Sequence, residues 1–140
     1  MAETIIYEKK GNIVTMTLNR PDSLNAITRL LRRELGEALV EFDSDPEAYV
    51  AIITGAGRAF CSGRDLKERA DDNAQGLQVD ASHSMTKETP FMWPKTWKPL
   101  IAAVNGFALA GGWASPQTCD RRTAPQWPSR GSSATPCTFP

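Results

Sequence analysis

The stretch from Pro99 to Trp113 limits this chain most, because an apolar run leads there into two glycine-containing turns. Leu100 to Val104 is short, follows a proline and precedes Asn105-Gly106. That pattern predicts a strand buried on both faces. Asn105-Gly106 predicts a turn, since both residues tolerate positive φ. Phe107 to Ala110 then leads into Gly111-Gly112. Adjacent glycines leave bare backbone N–H groups that a ligand can approach closely. If a helix opens there, the same groups are its unpaired first-turn donors. From this stretch alone, glycine serving only close packing is the better reading.

A second stretch changes that. Ile52 to Leu66 also runs from an apolar strand into a glycine-rich turn, and Ser62-Gly63-Arg64-Asp65 reads as the opening of a short helix. The chain therefore offers backbone donors twice, each time beyond a buried strand. Two converging N–H groups can stabilise a carbonyl oxygen as it becomes an enolate. Three blocks, Asn19-Arg-Pro-Asp-Ser-Leu-Asn-Ala26, Ala59-Phe-Cys-Ser-Gly-Arg-Asp-Leu66 and Ile101 to Gly112, resemble the enoyl-CoA hydratase/isomerase (crotonase) family in order and spacing. The resemblance covers about residues 3 to 113.

It implies an α/β fold: a crotonase-like core of ββα units wound into a spiral, incomplete here, with an irregular C-terminal tail. It implies an acyl-CoA substrate whose thioester carbonyl meets the backbone N–H groups of Arg64 and Gly111. Ser62, Gly63, Arg64, Asp65 and Leu66 would then lie beside the coenzyme A portion, where Arg64 or nearby lysines meet phosphates or are simply solvated. Coenzyme A enters as part of the substrate, and no separate cofactor or metal is expected. Hydratase members add two glutamates, which the resemblance aligns with Ala114 and about Ala134. Neither position carries a carboxylate, so hydration lacks its usual acid and base. The family forms homotrimers or hexamers through C-terminal helices that this sequence does not show.

The order of elements is legible from the residues themselves. Thr4–Glu8 and Ile13–Leu18 read as a hairpin about Gly11-Asn12, and Asn19-Arg20-Pro21 ends its second strand. Residues 28 to 43 are the clearest helix, with Leu31, Leu35, Ala38, Leu39 and Phe42 on one face. Arg29, Arg32, Arg33, Glu34, Glu37 and Glu41 are assigned to its wet face. Thr28 is the candidate cap, with Asn25 competing, and Asp43-Ser-Asp-Pro46 stops the helix. Tyr49–Thr54 is the next strand, and strand–helix–strand order implies a right-handed crossover in a parallel sheet. Leu66 to Ala70 continues a short helix. Asp71 to Thr89 reads as a polar loop-plus-helix. Its His83, the one histidine, reads as a surface residue rather than a base. Phe91, Met92, Trp93 and Trp97 form an aromatic cluster suited to an acyl pocket or to core packing.

Composition excludes several classes. Sixteen basic residues balance sixteen acidic ones across 140 residues, which leaves no excess for a nucleic-acid footprint. No apolar run is long enough for a bilayer, and the amino terminus lacks a signal-peptide pattern; a cytoplasmic location follows by default. Cys61, Cys119 and Cys137 show neither a disulfide framework nor metal spacing, and Cys61 reads as a small buried filler rather than a nucleophile.

Residues 114 to 140 hold five of the ten prolines and no Leu, Ile, Val or Met. Such a segment cannot offset its ordering entropy by burial. Residues 1–113 therefore read as a partial domain and 114–140 as a disordered tail, arising from a frame change or an unrelated terminus. Three functions remain open. One is a truncated family member that binds acyl-CoA and stabilises an enolate without completing hydration. A second is a non-catalytic acyl-CoA-binding or oligomer-modifying module. The third is an α/β interaction fragment with no ligand.

Overall fold

The computed structural model of the chain describes residues 3–76, 96–109, 112 and 119–124. Strands β1 (Ile5–Lys10) and β2 (Ile13–Leu18) form the expected antiparallel hairpin, with Ile5 opposite Leu18 and Lys10 opposite Ile13. Gly11 takes φ +61 at the reversal, as a two-residue hairpin connection demands. A 3₁₀ turn at Pro21–Ser23 precedes helix α1 (Arg29–Ser44), and strand β3 (Val50–Gly55) follows. β3 pairs parallel with β2, and β5 (Leu100–Ala103) pairs parallel with β3. The five-stranded sheet runs in the order β1-β2-β3-β5-β7, where β7 is Arg121–Thr123. A second, two-stranded parallel sheet joins β4 (Ala59–Cys61) to β6 (Phe107–Ala108). Helix α2 (Leu66–Ala74) follows β4.

The core lies between the large sheet and α1. Register places Val14, Ala51 and Leu100 in one row across the sheet, and Met16, Ile53 and Ala102 in the next; all six are buried. Leu31, Leu35, Ala38, Leu39 and Phe42 of α1 are buried in the same cluster, each full-sized side chain contributing roughly 1.5–3 kcal/mol of burial. Thr28 caps α1, its hydroxyl accepting from the Leu31 N–H at 3.1 Å.

Four expectations need correction. Leu100 to Val104 is not buried on both faces: Leu100, Ala102 and Val104 are, but Ile101 and Ala103 are half-covered. Glu34 leaves the wet face of α1. It is 7% exposed and accepts from the N–H groups of Glu3 and Thr4 and from the Thr4 hydroxyl, which ties the start of the chain to the helix. Asp71-Asp72 belongs to α2, which runs to Ala74, and Asp72 is buried rather than solvated. Asn105-Gly106 does turn, but neither residue takes positive φ. Glycine is needed there because a Cβ would stand 2.1 Å from the Arg58 carbonyl oxygen.

One short piece of the C-terminal stretch carries a strand that its composition does not announce. Within 114–140 the described residues are 119–124, and they carry β7. Strand β7 pairs parallel with β5, matching Ile101 to Arg121 and Ala103 to Thr123. The Asp120 N–H donates to the Leu100 carbonyl, and the Asp120 carboxylate accepts from the Leu100 N–H. Cys119 is buried in the core cluster. All three strand residues are exposed, so backbone pairing holds an edge that no apolar alternation announces.

Candidate functional site

The two glycine-rich stretches meet. The Leu109 N–H donates to the Cys61 carbonyl at 3.0 Å, and the Gly112 N–H donates to the Leu109 carbonyl at 2.8 Å. A Cβ on Gly112 would stand 2.0 Å from that same Cys61 oxygen. Only glycine permits this approach, because the obstruction is backbone. Gly55 is under the same constraint from the Ala59 and Phe60 carbonyls, at 2.4 and 2.6 Å. Gly111, the second expected donor, lies outside the described residues, as do His83, Ala114 and Ala134; its neighbours Leu109 and Gly112 are the ones seen against Cys61.

The turn after Cys61 distributes its donors unevenly. The Ser62 N–H donates to the Leu24 carbonyl, and the Asp65 N–H to the Ile27 carbonyl. Among the described residues, nothing accepts from the N–H of Arg64. Gly63 takes φ +97, a conformation that disfavours a side chain. The Gly63 carbonyl accepts from the Ile27 N–H, so Ile27 grips the turn on both sides of Arg64.

A polar scaffold supports this turn. Asn25 is fully buried, in the left-handed region at φ +54. Its side-chain oxygen accepts from the Arg20 N–H at 2.8 Å. Its amide donates to the Ala56 and Ala59 carbonyls at 2.9 and 2.8 Å. Asn25 is therefore a cross-link between loop and strand, not a helix cap. Asp65 caps α2 by accepting from the Lys67 and Glu68 N–H groups, and its other oxygen receives the Arg20 guanidinium at 3.1 and 3.2 Å. Burial raises the Asp65 carboxyl, but the bonds from Glu68, Arg20 and Lys67 and the Arg20 charge outweigh it and hold it below the usual range. So placed, Asp65 is a helix-start anion and a poor base.

Ser62, Arg64 and Asp65 are half-buried, Gly63 is buried, and Leu66 is 75% exposed. The Arg64 guanidinium lies 3.7 Å from Asp72 rather than projecting free. Burial pushes the Cys61 thiol up, offset in part by the Gly63 N–H, which suits the filler reading and not a nucleophile. Trp97 is 89% exposed, so it is not core; Phe91, Met92 and Trp93 lie outside the described residues. No group of three or more His, Cys, Asp or Glu among the described residues is arranged to hold a metal ion. No helix among them is long and apolar enough to cross a membrane.

A largely parallel sheet backed by α1, with a small second sheet bringing two glycine turns together, is shared with solved enoyl-CoA hydratases, which have the crotonase fold. A probable enoyl-CoA hydratase/isomerase from Mycobacterium abscessus superposes with a TM-score of 0.72 at 38% identity, over 89% of this chain and 46% of that one. An enoyl-CoA hydratase from Mycobacterium tuberculosis gives 0.71 at 35%, over 86% and 45%. In sequence, the chain is 42% identical over 111 residues to a mevalonyl-coenzyme A hydratase of Aspergillus fumigatus, covering 78% of this chain and 40% of the relative. It is 39% identical over 122 residues to a probable peroxisomal enoyl-CoA hydratase of Arabidopsis thaliana, covering 86% and 44%. The family profile of enoyl-CoA hydratase/isomerase matches residues 8–136, reaching past Trp113. The chain belongs to the enoyl-CoA hydratase/isomerase family, and it spans less than half the length of these relatives.

Proposed function

We propose that this chain binds the thioester end of an acyl-CoA and polarises its carbonyl between the N–H groups of Arg64 and Gly111. The observation that carries this reading is an unclaimed donor: in a turn where Ser62 and Asp65 have acceptors, the N–H of Arg64 has none among the described residues. It stands just ahead of α2, whose N-terminal dipole favours developing negative charge. In general, one such donor is worth about 10²–10³ in rate. Residues 62 to 66 would line the coenzyme A portion. The resemblance aligns Ala114 and about Ala134 with the glutamates of hydratases, and Asp65 is tied to Arg20 and the α2 cap. The chain as written therefore binds and polarises the thioester but does not hydrate it. Named relatives include peroxisomal and mitochondrial forms, so the family does not itself assign the cytoplasmic location read from sequence.

The test is titration of the 140-residue protein with a short-chain enoyl-CoA, followed by difference infrared spectroscopy of the bound thioester carbonyl. Arg64→Ala keeps the N–H and should keep the downshifted carbonyl band. Arg64→Pro deletes the N–H and should abolish the downshift in a variant shown to remain folded. Equal effects of the two substitutions at matched stability would refute the assignment.

A further inference from the structure

Helix α2 follows the candidate donor directly, yet it has almost nothing apolar with which to dock. Asp72 is its one buried residue, and Leu66 is 75% exposed. A nine-residue helix is marginal by itself in water, so its seat depends on its polar contacts. These converge on the start of α1. The Arg29 N–H donates to both Glu68 carboxylate oxygens, at 3.2 and 3.1 Å. The Arg29 guanidinium reaches Asp72 Oδ1 at 2.5 Å. Asp72 is 2% exposed. Its Oδ2 has no hydrogen-bond partner among the described residues and faces Arg64 Nη2 at 3.7 Å. One buried carboxylate thus stands between an arginine of α1 and the arginine whose N–H has no acceptor among the described residues.

We propose that Asp72 is the positioning residue of the site: by holding Arg29 and Arg64 together it seats α2 and fixes the direction of the Arg64 N–H. The Ile27 bonds restrain the peptides on either side of Arg64, but they do not restrain the body of the helix that follows. Glu68 and Asp72 do, and of the two Asp72 is the buried one; a carboxylate this deeply buried is costly unless its cations stay in place. The claim that the N–H serves a thioester rests on the function proposed above; the claim that Asp72 orders it does not.

The experiment separates the two. Backbone ¹⁵N relaxation is measured on the ligand-free 140-residue protein and on Asp72→Asn, Asp72→Glu and Arg29→Gln. Arg64 should be rigid in the parent, with an order parameter of about 0.85, and fall toward about 0.6 in Asp72→Asn. Met16 and Ile53, in the sheet, should not change. Asp72→Glu, which keeps the carboxylate, should recover most of the order. Arg29→Gln approaches the contact from its exposed side, and it should loosen Arg64 even if Asp72→Asn perturbs the core. Unchanged order at Arg64 in both Asp72→Asn and Arg29→Gln would overturn the proposal, as would equal loosening of Met16 and Ile53. With the enoyl-CoA added, Asp72→Asn should lose most of the carbonyl downshift while affinity falls less than about tenfold. A parent with a rigid Arg64 but no downshift would sink the thioester reading and leave the positioning role standing.

Discussion

Asn25 makes the sharpest stability prediction, because its three hydrogen bonds and its backbone can be tested separately. Asn25→Gly keeps the left-handed backbone but deletes the side chain, orphaning the Arg20 N–H and one bond each to the Ala56 and Ala59 carbonyls. At roughly 0.5–1.5 kcal/mol per bond, the loss should be about 2–4 kcal/mol. Asn25→Ala suffers the same loss and must also hold φ +54. That costs about 1–2 kcal/mol, against about 0.4–1 kcal/mol regained by stiffening the unfolded chain. Alanine should therefore be less stable than glycine by about 0.5–1 kcal/mol. Asn25→Asp keeps the acceptor for Arg20 but turns a buried oxygen toward two carbonyls; near neutral pH it should be the worst, at about 3–5 kcal/mol. Protonation lets that oxygen donate, so the folded state raises the new carboxyl above its unfolded value of about 3.9. The folded state then binds more protons, and stability must fall as pH rises through the window above that value. Urea denaturation across pH measures all three. A glycine variant within about 0.5 kcal/mol of the parent, or an aspartate variant as stable as glycine at neutral pH, would refute the assignment of Asn25 as the cross-link.

Glu34→Gln should cost about 1–2 kcal/mol at neutral pH. Burial raises Glu34, but the Thr4 hydroxyl, the Glu3 and Thr4 N–H groups and Arg33 hold it below its ordinary 4.5. Its contribution is thus full above that value and lost as pH falls, so parent and variant should converge in acid; a gap independent of pH would count against it. Cys119, whose thiol is pushed up to about 11 chiefly by burial, should resist alkylation at mildly alkaline pH until the protein unfolds, as followed by peptide mass mapping. Modification at the rate of a free thiol in the native protein would mean that 119–124 is not seated on β5.

Much of the fold could be read from periodicity. The hairpin, α1 and β3 each carry an apolar alternation or stripe, and burial follows it. What escaped has no such pattern. Glu34 and Asp72 are charged residues on helices, and their burial depends on Thr4 and Arg29, which are remote in sequence. Strand β7 is held by backbone pairing to β5. The described glycines of the two turns are needed for different reasons. Gly63 is needed for its φ, whereas Gly106 and Gly112 are needed because a carbonyl stands where their Cβ would be. At the site, the sequence supplied Arg64 and Asp65 through a family resemblance. It did not supply Arg20, Asn25, Ile27 or Arg29 as supports, since nothing in a linear motif says which backbone atom another loop will grip.

Helix α1 carries its charges in the wrong order for its own dipole. Arg29, Arg32 and Arg33 crowd its start and Glu41 and Asp43 its end, where the opposite signs would be favourable. The correction comes from elsewhere: Glu68 and Asp72 bring anions to the start. Lys98 brings a cation to the end, donating to the Phe42 and Asp45 carbonyls at 2.8 and 2.6 Å. During synthesis the ribosome releases α1 long before it releases Lys98. Lys9, on β1, is already beside that end through Asp45. The field of α1 is therefore balanced by residues on both sides of it in the chain, and the helix is matched to its place in the fold rather than to its own ends.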